Sequence, residues 1–273
     1  MGRPRLSLEP LTLPGVGAHD LIDIADKAGF AATSLVLNSP AATMPPDAVV
    51  GDHCARRAAL ERMRRSTLCV LNIECFNLCA GADPDSFLPA LACGSEFGVR
   101  TASAIVWENG DRRDVLAKLG RLCDMAADFG IRINLEFMAL SRSMNSLDVA
   151  LELLRDSGRQ NIGLMVDLLH LMRTGGTVDR LRAIEPDLIG GAQICDGPLA
   201  ISEADMLAEA GGNRMVPGEG EFPVGEFINA LPTELIIGVE VPQITLVGKL
   251  TPLERAHQLM DAVAPLVARR VGE

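Results

Sequence analysis

The chain has 273 residues, 48% of them hydrophobic, enough apolar content for one large domain with a full core. Its formal charge of −11 argues against a nucleic-acid backbone or an anionic membrane surface as partner. No apolar run nears the ~18 residues a membrane span needs, and the start MGRPRLSLEP lacks a signal peptide's apolar core. Seven scattered cysteines, an odd count with no CxxC pair, read as reduced thiols in a cytoplasmic protein. Aromatic residues make up only 3%, so stacking on a ligand falls to the single Trp, Trp107, and eight Phe.

Taken in order, the chain alternates between two periodicities. Arg5 to Pro10 reads as a first strand and residues 18–29 as the first helix, closed by Gly29 as C-cap. Ala31–Leu37 is a second strand. A Pro- and Gly-broken loop follows, read as a functional βα loop, and then a helix over Cys54–Arg65. Thr67–Phe76 is the third strand, followed by a helix with acidic N-terminal residues at 82–98. The fourth strand, 99–107, ends at Trp107. A helix closing on Gly130 has the apolar stripe Val115, Leu116, Leu119, Leu122 and Met125.

The fifth strand, Ile131–Phe137, leads to a helix over 146–158. The sixth, Ile162–Asp167, leads to LLHLMRTGG and a helix near Val178–Ile184. The seventh, Leu188–Cys195, opens a long excursion to Pro223 and a helix at 224–231. The eighth, Glu234–Val241, precedes the last helix at 252–270. Eight strand–helix units with right-handed crossovers predict an α/β fold, a single-domain (β/α)8 barrel spanning residues 1–273.

Four strand ends carry metal-binding side chains: Glu136, Asp167, Gln193 and Glu240, at intervals of 31, 26 and 47 residues. Parallel strands of a barrel bring such ends together on one face. Three carboxylates and an amide oxygen form a hard, all-oxygen set that favours Mg²⁺ or Mn²⁺ over Zn²⁺. Such a site clamps a substrate with two adjacent oxygens, acidifies the neighbouring C–H and stabilises an enediolate. Glu136 and Glu240 are then the expected acid–base pair, one on each face of the reacting carbon.

The same residues resemble the xylose-isomerase-like TIM barrels, which include sugar isomerases and epimerases, inosose-processing enzymes, dehydroshikimate dehydratases and endonuclease IV. The likeness rests on Glu136 in INLEF, Asp167 and His170 in VDLLH, Glu240 in GVEVP, and an arginine before a PGEG-type turn. That arginine and turn map onto Arg214, Pro217, Gly218 and Gly220. The resemblance implies a metal-dependent isomerase or epimerase of a small sugar or sugar-like hydroxyketone. A dehydratase of the 3-dehydroshikimate or inosose type is the alternative.

Strand seven departs from the family's HxxD pattern, with Gln193 and Asp196 in AQICD. Glutamine there resembles a subset that includes some dehydroshikimate dehydratases. His170 is expected to face the mouth as acid/base or substrate donor, and Arg214 to clamp a substrate oxygen from beyond the metal's own ligands. Asp196 is expected to orient Gln193 or a water. Glu74, Trp107, His19 and Arg142 are candidates to line the pocket, and His257 is placed on the surface. The PGEG glycines read as a loose turn in preference to a phosphate nest. A small-molecule substrate is the expected partner, and the composition leaves room for a homo-oligomer.

Overall fold

The computed structural model describes residues 3–39, 45–107 and 110–268. Eight strands form one closed parallel barrel in sequence order: β1 (Leu6–Leu8), β2 (Ala32–Val36), β3 (Cys69–Asn77), β4 (Thr101–Ile105), β5 (Arg132–Glu136), β6 (Ile162–Asp167), β7 (Ile189–Ile194) and β8 (Ile237–Val239). Leu6 pairs with Ile237 and Leu8 with Val239, and this contact closes the ring. The outer layer holds α1 (Ala18–Ala28), α2 (His53–Arg64), α3 (Leu88–Glu96), α4 (Arg112–Asp128), α5 (Leu147–Ser157), α6 (Leu168–Arg173), α7 (Val178–Arg182), α8 (Met206–Gly212), α9 (Val224–Ala230) and α10 (Pro252–Ala268). None of these helices is long and apolar enough to cross a membrane.

Local chemistry sets the helix boundaries. Asp52, Asp111 and Ser146 accept backbone N–H bonds at the starts of α2, α4 and α5. Gly29, with φ at 89°, ends α1 in the left-handed conformation that glycine adopts most readily. The stripe expected on α4 is its core face, with Val115, Leu119, Leu122 and Met125 all buried.

Several boundaries differ from the sequence reading. The first strand stops at Leu8, because Pro10 cannot donate to a ladder and instead opens a single 3₁₀ turn. The helix expected over 82–98 divides into a 3₁₀ turn (Pro84–Phe87) and α3. The excursion after β7 contains α8, a helix the sequence reading missed. Residues 40–44 of the loop after β2, and the end of the last predicted helix beyond Ala268, lie outside the described residues.

The barrel interior is unusually polar. Ser7, Ser34, Asn72, Ser103 and Asn134 are buried on the first five strands, and Asn72 donates to the Ser103 hydroxyl at 2.8 Å. A small cavity of about 20 Å³ is lined by Glu9, Ser34, Asn72, Met165, Gln193 and Gly238, from six different strands or strand ends. Gly238 matters here: a Cβ in its place would meet both Gln193 and Glu9 at 2.9 Å. Its absence lets two polar side chains of neighbouring strands share the axis.

Candidate active site

Glu136 and Asp167 are the last residues of β5 and β6, Gln193 lies one residue from the end of β7, and Glu240 follows β8 directly. Asp167 pairs in register with Gln193, and Gln193 with Gly238, so the carboxyl ends of β6, β7 and β8 sit level. The four side chains expected from the sequence therefore stand on the C-terminal face of the barrel. Their arrangement is not a simple tetrad, however.

Glu136, Asp167 and His170 each bring a ligand atom within 4.8 Å of the other two. His170 reaches this group because α6 starts directly at the end of β6. The Asp167 carboxylate caps the helix by accepting from the Leu169 N–H at 2.7 Å, which places His170 in the first turn above it. His170 Nε2 is 3.7 Å from Glu136 Oε1. The sequence reading placed His170 beyond the ion's ligands; here its ring lies close enough to Glu136 and Asp167 that the three could share an ion.

Glu240 and Gln193 form an adjoining pair. The Gln193 amide nitrogen donates to Glu240 Oε1 and to Glu74 Oε1, both at 3.2 Å. Its oxygen, the atom expected to face a metal, is buried without a partner. Two carboxylates next to the amide draw its donor end toward themselves, which turns the acceptor end away.

Arg214 is the larger departure. Its guanidinium is fully buried and bonds Asp167 Oδ2 at 2.6 Å and Glu240 Oε2 at 2.9 Å. It bridges two expected ligands instead of standing beyond them. The backbone explains how: the Arg214 N–H donates to the Pro242 carbonyl, and Gln243 donates to the Arg214 carbonyl. The excursion is thereby tied to the exit of β8. Arg173 of α6 holds it from the other side, through a buried ion pair with Glu209 at 2.6 Å and a stack on Phe222.

Asp196 does not orient Gln193. Its carboxylate accepts from the N–H groups of Gly197, Gly218 and Phe222 at 2.8–2.9 Å and staples the PGEG turn. That carboxylate fills the concavity a phosphate would need, and it crowds the place a Gly220 Cβ would take at 2.3 Å. Glu74 and Trp107 line the main cavity. His19 is exposed and paired with Asp20, Arg142 is exposed and outside the cavity lining, and His257 is exposed on α10.

One participant was missed in the sequence. Glu9, just past β1, is buried at the barrel axis beside Ser7, Ser34, Glu74 and Gln193, and burial raises its carboxyl above the ordinary range. An acid immediately before a proline at a strand end was its only signal.

Five carboxyls (Glu9, Glu74, Glu136, Asp167, Glu240) thus meet one guanidinium among the described residues of the barrel mouth. Burial, and then the Asp167 charge, lift the Glu136 carboxyl to about 8. Burial and neighbouring acids also push Glu74 and Glu240 well above the ordinary range. Burial alone would raise Asp167 too, but the Arg214 charge, together with its hydrogen bond, the bond from the Leu169 N–H and the nearby His170 ring, holds Asp167 below the ordinary range. Burial drops His170 to about 4, leaving a neutral imidazole at neutral pH. So many buried carboxyls beside a single cation, most of them driven to hold a proton that a cation could replace, fit a site for a divalent ion. Glu136, Asp167 and His170 are its nearest donors, with Glu240 and Gln193 adjacent. The imidazole adds a nitrogen to the expected all-oxygen set, which admits Zn²⁺ alongside Mg²⁺ and Mn²⁺.

Above the acids opens a cavity of about 720 Å³, bounded by Pro10, Leu11, Val16, Leu35, Trp107 and Leu207 among others. A closed parallel barrel with acids, an imidazole and an arginine converging at its C-terminal mouth has the layout in which barrel enzymes place their active sites. Residues 18–263 match the Xylose isomerase-like TIM barrel family, and the chain belongs to it.

Among solved structures, the barrel is similar to the IolI protein with a bound zinc atom (TM-score 0.76, 16% identity, 97% of this chain and 98% of that one). It is also similar to D-allulose 3-epimerase from Methylomonas sp. (TM-score 0.70, 18% identity, 100% and 97%). At these identities the likeness is one of fold. A stretch of 110 residues, 40% of this chain, is 30% identical to 3-dehydroshikimate dehydratase of Pseudomonas aeruginosa and spans 17% of that protein. The Pseudomonas putida enzyme of the same name is 29% identical over 119 residues, 44% of this chain and 18% of its own length.

Proposed function

We propose that the chain is a divalent-metal-dependent isomerase or epimerase of a small, uncharged α-hydroxyketone. The observation that carries this reading is the placement of Glu136 and Glu240 on non-adjacent strand ends at the floor of one cavity, with His170 beside Glu136. A carboxylate whose proton affinity is raised by burial is a strong base once ionised.

One carboxylate takes the proton from the hydroxyl-bearing carbon. The C–H electron pair becomes the C=C bond of an enediolate, and the carbonyl π electrons move to its oxygen. Return of a proton from the opposite carboxylate inverts that carbon, and return to the neighbouring carbon moves the carbonyl. Neutral His170 can carry a proton between the two substrate oxygens as the carbonyl changes place. Arg214 keeps Asp167 ionised and fixes Glu240. When bound, an ion held by Glu136, Asp167 and His170, with Glu240 and Gln193 as further donors, would supply a Lewis acid for the substrate oxygens. The three carboxylates favour Mn²⁺ or Mg²⁺.

A dehydratase is the second reading, favoured by the local identity to the two 3-dehydroshikimate dehydratases. Against it stands the charge of the cavity. Arg214 is the one Lys or Arg among the described residues lining it, and its guanidinium is already neutralised by two carboxylates. A ring carboxylate would find no free cation there. Mass spectrometry separates the readings after incubation with Mn²⁺ and either a ketohexose or 3-dehydroshikimate. The proposal expects an isobaric product from the ketose; water loss from 3-dehydroshikimate without ketose turnover would overturn it.

A further inference from the structure

The upper part of the cavity is unlike its floor. The polar side chains that line it are concentrated at the floor, in Glu74, Glu136, His170, Arg214 and Glu240. The walls that rise from there are Pro10, Leu11, Val16, Leu35, Trp107 and Leu207. Asp47 is the charged side chain that lines the cavity away from the floor, and both its oxygens are engaged, accepting from the Ala18 N–H at 2.6 Å and the Val49 N–H at 3.0 Å. A volume of about 720 Å³ falls within the roughly 300–1,000 Å³ range that encloses drug-sized ligands. A polyhydroxylated chain would press its distal hydroxyls against these walls with no partner, which desolvates them without compensation.

We infer that the substrate is an α-hydroxyketone whose two oxygens meet the acid cluster and whose remaining part is apolar and uncharged, such as an aryl or alkyl group. This rests on the proton-transfer reading above. The occupant follows from three features together: the acid–base floor needs adjacent oxygens, the described wall side chains are apolar apart from the engaged Asp47, the Trp107 indole N–H and the Cys75 thiol, and no Lys or Arg other than the paired Arg214 lines the cavity among the described residues. The reaction is the same rearrangement: the carbinol C–H proton passes to a carboxylate and returns to either carbon, with no net redox change.

Trp107 is the only tryptophan of the chain and lines this wall, so its fluorescence reports occupancy directly. The Mg²⁺-loaded protein is titrated with 1-hydroxy-1-phenylpropan-2-one and, separately, with D-fructose, while racemisation or carbonyl migration is followed by NMR. Dihydroxyacetone, which reaches only the polar floor, is the third substrate. The expected result is a Trp107 spectral shift with the phenyl compound at concentrations at least about tenfold below those D-fructose needs, and a kcat/KM ratio of the same size. Leu11→Asn or Val16→Asn, both at partly exposed positions, should cut that ratio by about tenfold through KM.

Turnover of dihydroxyacetone and D-fructose with no preference for the phenyl compound would overturn the apolar assignment and leave the proton-transfer reading standing. Proton exchange in none of the three would remove both.

Discussion

The two halves of the barrel mouth are built from different chemistry. Strands β5 to β8 end in Glu136, Asp167, Gln193 and Glu240; Arg214 ties Asp167 to Glu240, Gln193 bonds Glu240, and His170 lies 3.7 Å from Glu136. The ends of β1 to β4 send two acids, Glu9 and Glu74, down toward the axis; above them they present Pro10, Leu35, Val36, Ile105 and Trp107 to the cavity. In the proposed reading one half supplies the charge that reacts, and the other the surface that selects. The difference teaches that reaction type and substrate choice are separable in this proposal, because among the described residues no side chain of the apolar wall shares a hydrogen bond or ion pair with the acid layer.

The sharpest way to break this comparison is to neutralise the reactive half. Glu136→Gln should lower turnover by about 10²–10⁴-fold, the usual worth of a general acid or base. Steady-state kinetics with the metal-loaded protein would check it, and a loss under tenfold would move Glu136 out of the chemistry.

Next in size is Arg214→Met. Asp167 and Glu240 would lose the guanidinium that bonds both, and removing one partner of a buried pair costs about 3–5 kcal/mol. Urea unfolding in EDTA should show that loss. Added divalent ion should restore much of it, since the two carboxylates become free to take the ion.

The third prediction concerns pH. The Glu136 carboxyl is raised to about 8 in the fold from an ordinary value of 4.5. The folded chain therefore holds a proton that the unfolded chain releases between those values. This contribution is complete below about pH 4.5 and is lost as pH rises through 8. His170 works at the other end: lowered to about 4 from 6.5, it resists protonation, so stability falls as pH drops from 6.5 through 4. The metal-free melting temperature should decline from mildly acid to alkaline pH, and saturating divalent ion should flatten the alkaline side. A slope unaffected by the ion would detach Glu136 from the ion site.

The smallest effect tests a control region. Asp52, which does not line the cavity, caps α2 through bonds from the Cys54 and Ala55 N–H groups. Asp52→Ala should cost about 1 kcal/mol in denaturant unfolding and leave kcat/KM unchanged.

Much of this was legible in the sequence, for definite reasons. The runs that form β5, β6 and β8 are largely apolar, and Glu136, Asp167 and Glu240 sit where those runs stop. Three features escaped. Arg214 was expected at the cavity, but its bridging of Asp167 and Glu240 was not, because the hydrogen bonds between its backbone and Pro242 and Gln243 join residues 28 and 29 apart and have no local sequence pattern. Glu9 was overlooked because a strand of three residues ending in Leu-Glu-Pro has too little periodicity to assign a facing direction. The apolar wall was invisible for the same reason: Pro10, Val16, Leu35 and Leu207 come from separate loops and elements, and only the closed barrel sets them opposite the acids.

The central claim is that Glu136 and Glu240 exchange a carbon-bound proton of an α-hydroxyketone. Proton NMR of dihydroxyacetone in D₂O with the Mg²⁺-loaded protein tests it most directly. The account predicts steady loss of the methylene signal with wild type, and loss of that exchange by at least about 10²-fold in Glu240→Gln. Exchange that proceeds equally in Glu240→Gln, or no exchange with wild type at all, would contradict it.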